Sequence, residues 1–232
     1  MIKIGRLNLG NAPRVAAVIT DDKNGQSLKN AIKQGADLLE LRIDFFKGIE
    51  PENLSKTVRK IKQSRLPLIA TVRSKTEGGK KSLTDRQRKE IFQHIIPIVD
   101  AVDIELSSKN IIKDIVGSAK KQNKKVIVSY HNFKETPSDG KLNKIIKDSK
   151  KAGADIIKLA AMARNMQDIL RLANLTLKHK NLITLSMGSM AKISRVIFPI
   201  FGSLITYGEV GVSTASGQMP LNILKKELEL YK

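Results

Sequence analysis

Cysteine and tryptophan are absent from these 232 residues, histidine occurs three times, and aromatic residues make up only 4% of the chain. Without cysteine there is no disulfide, no thiolate nucleophile and no sulfur ligand for a metal. So few aromatics supply a poor stacking platform for single-stranded nucleic acid. No apolar run approaches the ~20 residues of a membrane span. Residues 1–10 alternate apolar and polar, unlike the continuous apolar stretch of a signal peptide. No Gly-, Ser- or Pro-rich tract divides the chain. Together these absences predict one soluble domain, residues 1–232, in the cytoplasm.

Positive charge is abundant instead. Lys and Arg number 42 against 22 Asp and Glu, for a formal charge of +20 and a pI of about 10.1. The lysines are scattered, as in Lys56, Lys60 and Lys62 or Lys144, Lys147, Lys150 and Lys151, and are not gathered into one arm. That distribution predicts solvated helix faces that attract anionic metabolites, with no specific nucleic-acid partner. A true nucleic-acid binder of this charge would lose affinity steeply with salt.

Short β-branched runs recur at residues 15–19, 38–43, 68–73, 101–106, 126–130, 155–160, 182–186 and 204–207. Between them lie segments with helical apolar spacing, such as Leu54/Val58/Ile61, Ile91/Ile95/Ile98, Ile111/Ile115/Ala119 and Leu221/Leu224/Leu228. This alternation predicts an α/β fold with a parallel sheet, and eight such units suggest a (β/α)8 TIM barrel. A doubly wound open sheet satisfies the same periodicity. Residues 1–9 read as a two-stranded ribbon turning at Gly5-Arg6, placed to close the N-terminal end of the barrel. Thr84 or Asp85 is a candidate N-cap, and Gly35 and Gly153 stand where helices should stop.

In such a barrel, chemistry gathers at the C-terminal ends of the strands. There the sequence places Glu40 and Arg42, Arg73 with Glu77-Gly78-Gly79, Asp103 and Glu105, Ser129-Tyr130-His131-Asn132, Lys158, Ser194-Arg195 and Gly217-Gln218. Glu40 and Arg42 lie two residues apart and share a strand face, so they are either substrate contacts or a structural ion pair. His131 is equally a core or a catalytic histidine, whereas His94 and His179 fall on helices.

Lys158 is the outlier. It interrupts the run Ile156-Ile157-Lys158-Leu159-Ala160, in which an interior parallel strand offers no solvated face. Burial, with Arg42, Arg73 and Arg195 nearby, is expected to lower its pKa from about 10.4 and supply a neutral amine. A neutral amine condenses with a ketone or aldehyde; the iminium acidifies the adjacent C–H, and His131 on the neighbouring strand suits the role of base.

With these residues in place, the chain resembles the type I 3-dehydroquinate dehydratase family of (β/α)8 Schiff-base enzymes. The most specific part is Asp103-Ile104-Glu105-Leu106 followed, after nineteen residues, by Val126-Ile127-Val128-Ser129-Tyr130-His131-Asn132. Glu40-Leu41-Arg42-Ile43-Asp44, Arg73 with Glu77-Gly78-Gly79, Ile157-Lys158-Leu159-Ala160, Ser194-Arg195, Phe201-Gly202-Ser203 and Gly217-Gln218 follow in family order. The resemblance implies dehydration of 3-dehydroquinate to 3-dehydroshikimate in the shikimate pathway. Lys158 would form the imine, His131 would act as base and acid, and Glu77 would orient His131. Arg195 would hold the substrate carboxylate, and Glu40, Arg42, Arg73, Thr214 and Gln218 would bind the rest of the substrate. Phe133 and Met187 would wall the ring. No metal or cofactor is implied, because the imine itself is the electron sink, and a homodimer is expected.

Two features depart from the family. Thr214-Ala215-Ser216-Gly217-Gln218 lacks the proline of the Ser-Ala-Pro-Gly-Gln loop, which leaves more backbone entropy to lose on closure. Leu185-Ser186-Met187 carries one methionine where some members have two. The competing reading is a lysine-imine aldolase with a phosphate site near Gly208 and Gly211, against which Arg195 and His131 favour a carboxylate and proton transfer.

Overall fold

The β-branched runs all become strands, and they pair in the order in which the chain makes them. The computed structural model describes residues 2–21, 25–211 and 217–231. β1 (Ile2–Ile4) and β2 (Leu7–Leu9) form the antiparallel ribbon, turning at Gly5 with φ +54°. β3 (Val15–Ile19), α1 (Gln26–Lys33), β4 (Leu38–Arg42), α2 (Pro51–Lys62), β5 (Leu68–Thr71) and α3 (Asp85–Ile95) follow. Next come β6 (Ala101–Glu105), α4 (Ile112–Lys121), β7 (Lys125–Asn132), α5 (Asp139–Lys151), β8 (Ile156–Met162) and α6 (Met166–Lys178). The chain ends with β9 (Leu182–Met187), α7 (Ala191–Ile200), β10 (Thr206–Glu209), the short β11 (Met219–Pro220) and α8 (Leu221–Glu229).

Every pair from β3 to β9 is parallel, and β10 pairs with β3, so the sheet curls back on itself. The last joint is made just ahead of β10. Leu204 donates its backbone N–H to Leu182 (2.8 Å), and the Ser203 hydroxyl accepts from the Thr184 N–H (3.0 Å). The fold is a (β/α)8 barrel. This joint also explains why β10 begins at Thr206, two residues later than the apolar run: Ser203 and Leu204 are committed to β9. Similarly, β5 ends at Thr71 because side chains take over from the ladder, Arg88 donating to the Val72 carbonyl and Glu105 accepting from the Ser74 N–H.

The period of two sorts each strand into an outer and an inner face. Outward residues such as Leu39, Leu41, Val102 and Val128 pack in one cluster with Leu54, Val58, Ile91, Ile95 and Ile115 of the helices. Inward residues stack in layers along the barrel. Near the strands' N-terminal ends Leu38, Ile69, Ala101, Ile127, Ile156 and Ile183 form an apolar floor, onto which Ile4 and Leu9 of the ribbon are packed and fully buried. The ribbon therefore closes the bottom of the barrel as expected. One layer up, the same inward parity brings in Glu40, Thr71, Asp103, Ser129 and Lys158, and above them Arg42, Arg73, Glu105 and His131. A capping box at Thr84 starts α3, and Gly35 and Gly153 take the left-handed conformation just beyond α1 and α5. Among the described residues no helix is long and apolar enough to cross a membrane.

Candidate active site

At the C-terminal mouth of the barrel lies a cavity of about 600 Å³, counting its open entrance. Glu40, Arg42, Arg73, Glu77, His131, Phe133, Lys158, Met187, Arg195 and Gln218 all line it, so the candidate residues from distant parts of the chain converge. Thr214 lies outside the described residues.

Lys158 points inward from β8 and is 4% exposed. Its Nζ donates to Glu40 Oε1 (3.0 Å) and Asp103 Oδ2 (3.1 Å), and lies 4.3 Å from the ring centroid of Tyr207. The expectation of a depressed lysine pKa is thereby overturned. Burial is the largest single influence and does push the ammonium down, but Asp103 and Glu40 together outweigh it and hold Lys158 above the ordinary lysine range. Tyr207 adds to them, and Arg73, itself tied to Asp103 (3.0 Å) and Glu105 (2.8 Å), pushes down less than any of these. In the resting site Lys158 is an ammonium.

Behind that pair stands a buried chain of alternating charge. Glu40 accepts from the Thr71 hydroxyl (2.8 Å), Asp103 from Ser129 (2.6 Å), and Arg73 also donates to Ser129 (2.7 Å). Glu105 is shared between Arg73 and Arg88, whose fully buried guanidinium arrives from α3. Burial disfavours the charge on Asp103, but Arg73 and then Lys158 overcome it and keep this carboxyl well below its usual range. In this chain Lys158, Glu40, Asp103, Arg73, Glu105 and Arg88 each have a partner of opposite charge, the condition under which burial is tolerated. Glu40 and Arg42 do not pair with each other: Arg42 forks onto Asp44 (2.9 and 2.8 Å) and lies over the Phe45 ring.

His131, the last residue but one of β7, faces Glu77. One oxygen, Glu77 Oε2, accepts from the His131 backbone N–H and contacts Nδ1, both at 2.9 Å; the Ser107 hydroxyl donates to Oε1. A carboxylate there fixes the proton on Nδ1 and leaves Nε2 as the free basic nitrogen. Burial, then Arg73 and Lys158, drive the imidazole well below its ordinary pKa, so it is neutral. Burial pushes Glu77 up to about 7. The loop that delivers Glu77 depends on its glycines: a Cβ at Gly79 would sit 2.2 Å from the Arg73 carbonyl, and Gly78, at φ +87°, abuts Phe133. Phe133 is half-exposed at the rim and stacks on His131 at 6.4 Å between centroids.

Arg195 is buried on α7 at 2% exposure, not on the helix surface where most arginines lie. Its Nε has no hydrogen-bond partner among the described residues, and burial pushes it down to about 10, so it still carries its charge. A buried guanidinium lining a cavity, with a donor to spare, has the chemistry to hold an anion. Sequence reasoning did not assign roles to Asp103, Ser107, Tyr207 or Arg88. Asp103 had a signal, its inward parity with Glu105; Ser107, Tyr207 and Arg88 had none short of knowing the barrel's cross-section.

Comparison with known proteins agrees with this geometry. The family model for type I 3-dehydroquinase matches residues 16–232. A 3-dehydroquinate dehydratase of Methanococcoides burtonii is 39% identical over 234 residues, covering 100% of both chains. The crystal structure of the 3-dehydroquinate dehydratase of Geobacillus kaustophilus superposes with a TM-score of 0.92 at 28% identity, covering 99% of this chain and 95% of the other. That of the type I enzyme of Clostridium difficile with covalently modified comenic acid gives 0.91 at 28% identity, covering 99% and 96%.

Proposed function

This chain belongs to the type I 3-dehydroquinase family, and from that premise we propose that it dehydrates 3-dehydroquinate to 3-dehydroshikimate through an imine on Lys158, as a step of the shikimate pathway. The single observation that carries the reading is a buried lysine held between two carboxylates, within one cavity that also contains a neutral, carboxylate-oriented histidine.

The charged resting state of Lys158 fits this chemistry. Condensation of an ammonium with a ketone gives an iminium and water, with one positive charge before and after. Two of the ammonium protons leave in the water, and the nitrogen keeps its charge. Glu40 and Asp103 therefore stabilise the iminium with the same contacts that hold the ammonium, and little has to reorganise. With C3 of the substrate so activated, Nε2 of His131 removes a C2 proton, the enamine expels the C1 hydroxyl, and the protonated His131 returns its proton to that leaving oxygen. Hydrolysis of the product iminium frees Lys158. Glu77 orients His131, and Arg195 holds the C1 carboxylate with its planar fork. Arg42 and Gln218 contact the ring oxygens, while Arg73 acts through Asp103. Met187 and Phe133 wall the ring, and Thr214 joins Gln218 in the closing loop. The domain is proposed to act as a homodimer in the cytoplasm.

Incubation with 3-dehydroquinate is expected to raise ultraviolet absorbance as the conjugated enone forms, and borohydride added during turnover should leave a mass increase on Lys158. Absence of the absorbance rise would remove the substrate assignment; turnover with no trapped adduct would remove the imine. An aldolase would leave the ketone unchanged. Arg195→Ala is expected to raise KM by about 10- to 100-fold, the loss of a charge-assisted pair, with a smaller change in kcat. Steady-state kinetics checks it, and an unchanged KM would place the carboxylate elsewhere.

A further inference from the structure

Tyr207, on β10, has no part in the steps above. Its ring is 2% exposed, lines the same cavity, and presents its face to the Lys158 ammonium. Attraction between a cation and an aromatic face needs only the ring, and phenylalanine supplies it too. The hydroxyl is surplus to that contact; it is buried, interacts with the Lys158 ammonium beside it, and has no other hydrogen-bond partner among the described residues. A buried hydroxyl left short of partners is a standing cost unless a ligand completes it. The second such donor in this cavity is Nε of Arg195. Two under-used donors on residues that line one cavity point to two oxygens of a ligand, and Arg195 suits the carboxylate.

The oxygen left for Tyr207 follows from its position beside Lys158. When Nζ attacks a carbonyl carbon, the carbonyl oxygen is bonded to that same carbon and lies beside the nitrogen. That oxygen must collect two protons, both from the ammonium nitrogen: one to form the carbinolamine, one to leave as water while the nitrogen lone pair closes the C=N bond. Direct passage from nitrogen to oxygen runs through a strained four-membered path. A hydroxyl that accepts on one side and donates on the other removes that strain and ends each transfer unchanged.

We propose that Tyr207 is a further catalytic residue, whose hydroxyl hydrogen-bonds the substrate ketone oxygen and relays protons from Lys158 to it during imine formation and back during hydrolysis. The inference rests on the Schiff-base reading of the site. Burial drives the phenol above its ordinary pKa, so it is present as the neutral donor that a relay requires.

Tyr207→Phe tests this, since it keeps the ring and its contact with the ammonium; a thermal melt matching the wild type shows the fold intact. Single-turnover mixing with 3-dehydroquinate, quenched into borohydride at successive times, reads the rate at which the Lys158 adduct appears. The variant is expected to form it about 100-fold more slowly, within the usual range for a positioned proton-transfer group, with KM changed little. Labelling at the wild-type rate would overturn the relay while leaving the Schiff-base reading intact. A raised KM with an unchanged labelling rate would also overturn it, placing the hydroxyl on another substrate oxygen. If the wild type itself gives no adduct, the underlying reading fails first.

Discussion

Lys158→Ala is expected to lower kcat by at least about 10⁴-fold, the scale on which loss of a covalent nucleophile is felt, and to abolish borohydride trapping. The structure makes this more than loss of a contact. Lys158 is the cation that Glu40 shares with Asp103 at 3.0 and 3.1 Å, so alanine removes nucleophile and counter-ion together. Lys158→Arg separates the two. A guanidinium stays charged and can bridge the same carboxylates, but it does not condense with a ketone. If charge alone stabilised the transition state, the arginine variant would retain much of its activity; if the covalent step is required, both variants fall equally. Activity of either variant within about 10-fold of wild type would sink the imine, since general electrostatic help alone would then suffice.

Much of this site could be read before the fold was seen, and what could not shares one cause. Lys158 stood out because a charged residue inside a two-sided apolar strand has no solvated face to occupy. The shared face of Glu40 with Arg42, and of Asp103 with Glu105, followed from strand parity, and His131 stood out by its place at a strand end. Parity tells which face a residue is on, however, and not what faces it across the barrel. The carboxylates bound to Lys158 come from 118 and 55 residues away. Without them burial and the neighbouring arginines decide the expectation, and the sign of the pKa shift comes out reversed. Arg195 illustrates the same limit from the other side: sequence places it on a helix, where most arginines are exposed, and the packing of α7 against β9 and β10 buries it. The boundary of β10 was misplaced because Leu204 carries strand-like composition yet, with Ser203 before it, makes the joint to β9. Glu77 was identified by its place in a motif; its grip on His131 depends on the glycine-permitted loop at Gly78 and Gly79.

His131→Ala should lower kcat by about 10²- to 10⁴-fold, the contribution of a positioned acid–base group, while imine trapping on Lys158 persists. The pH dependence carries a sharper test, because the histidine does not act alone. Burial and nearby cations keep His131 neutral far below pH 7, so its own protonation does not limit activity near neutrality. Glu77 does titrate there, at about 7. Below that value the carboxyl is protonated and no longer draws the Nδ1 proton toward itself, so Nε2 is a weaker base; above it the carboxylate accepts from Nδ1–H and activity is full. The sign is therefore a kcat/KM that falls as pH drops below about 7, reporting the free enzyme, with an apparent value belonging to the coupled Glu77–His131 pair. Glu77→Gln removes the titrating group but keeps an amide oxygen able to accept from Nδ1–H. It is expected to lower the plateau by about 10-fold or more and to move the acid limb to much lower pH. An acid limb persisting near 7 in Glu77→Gln would show that another group titrates there, and Glu77 would lose its place as the partner that makes His131 a base.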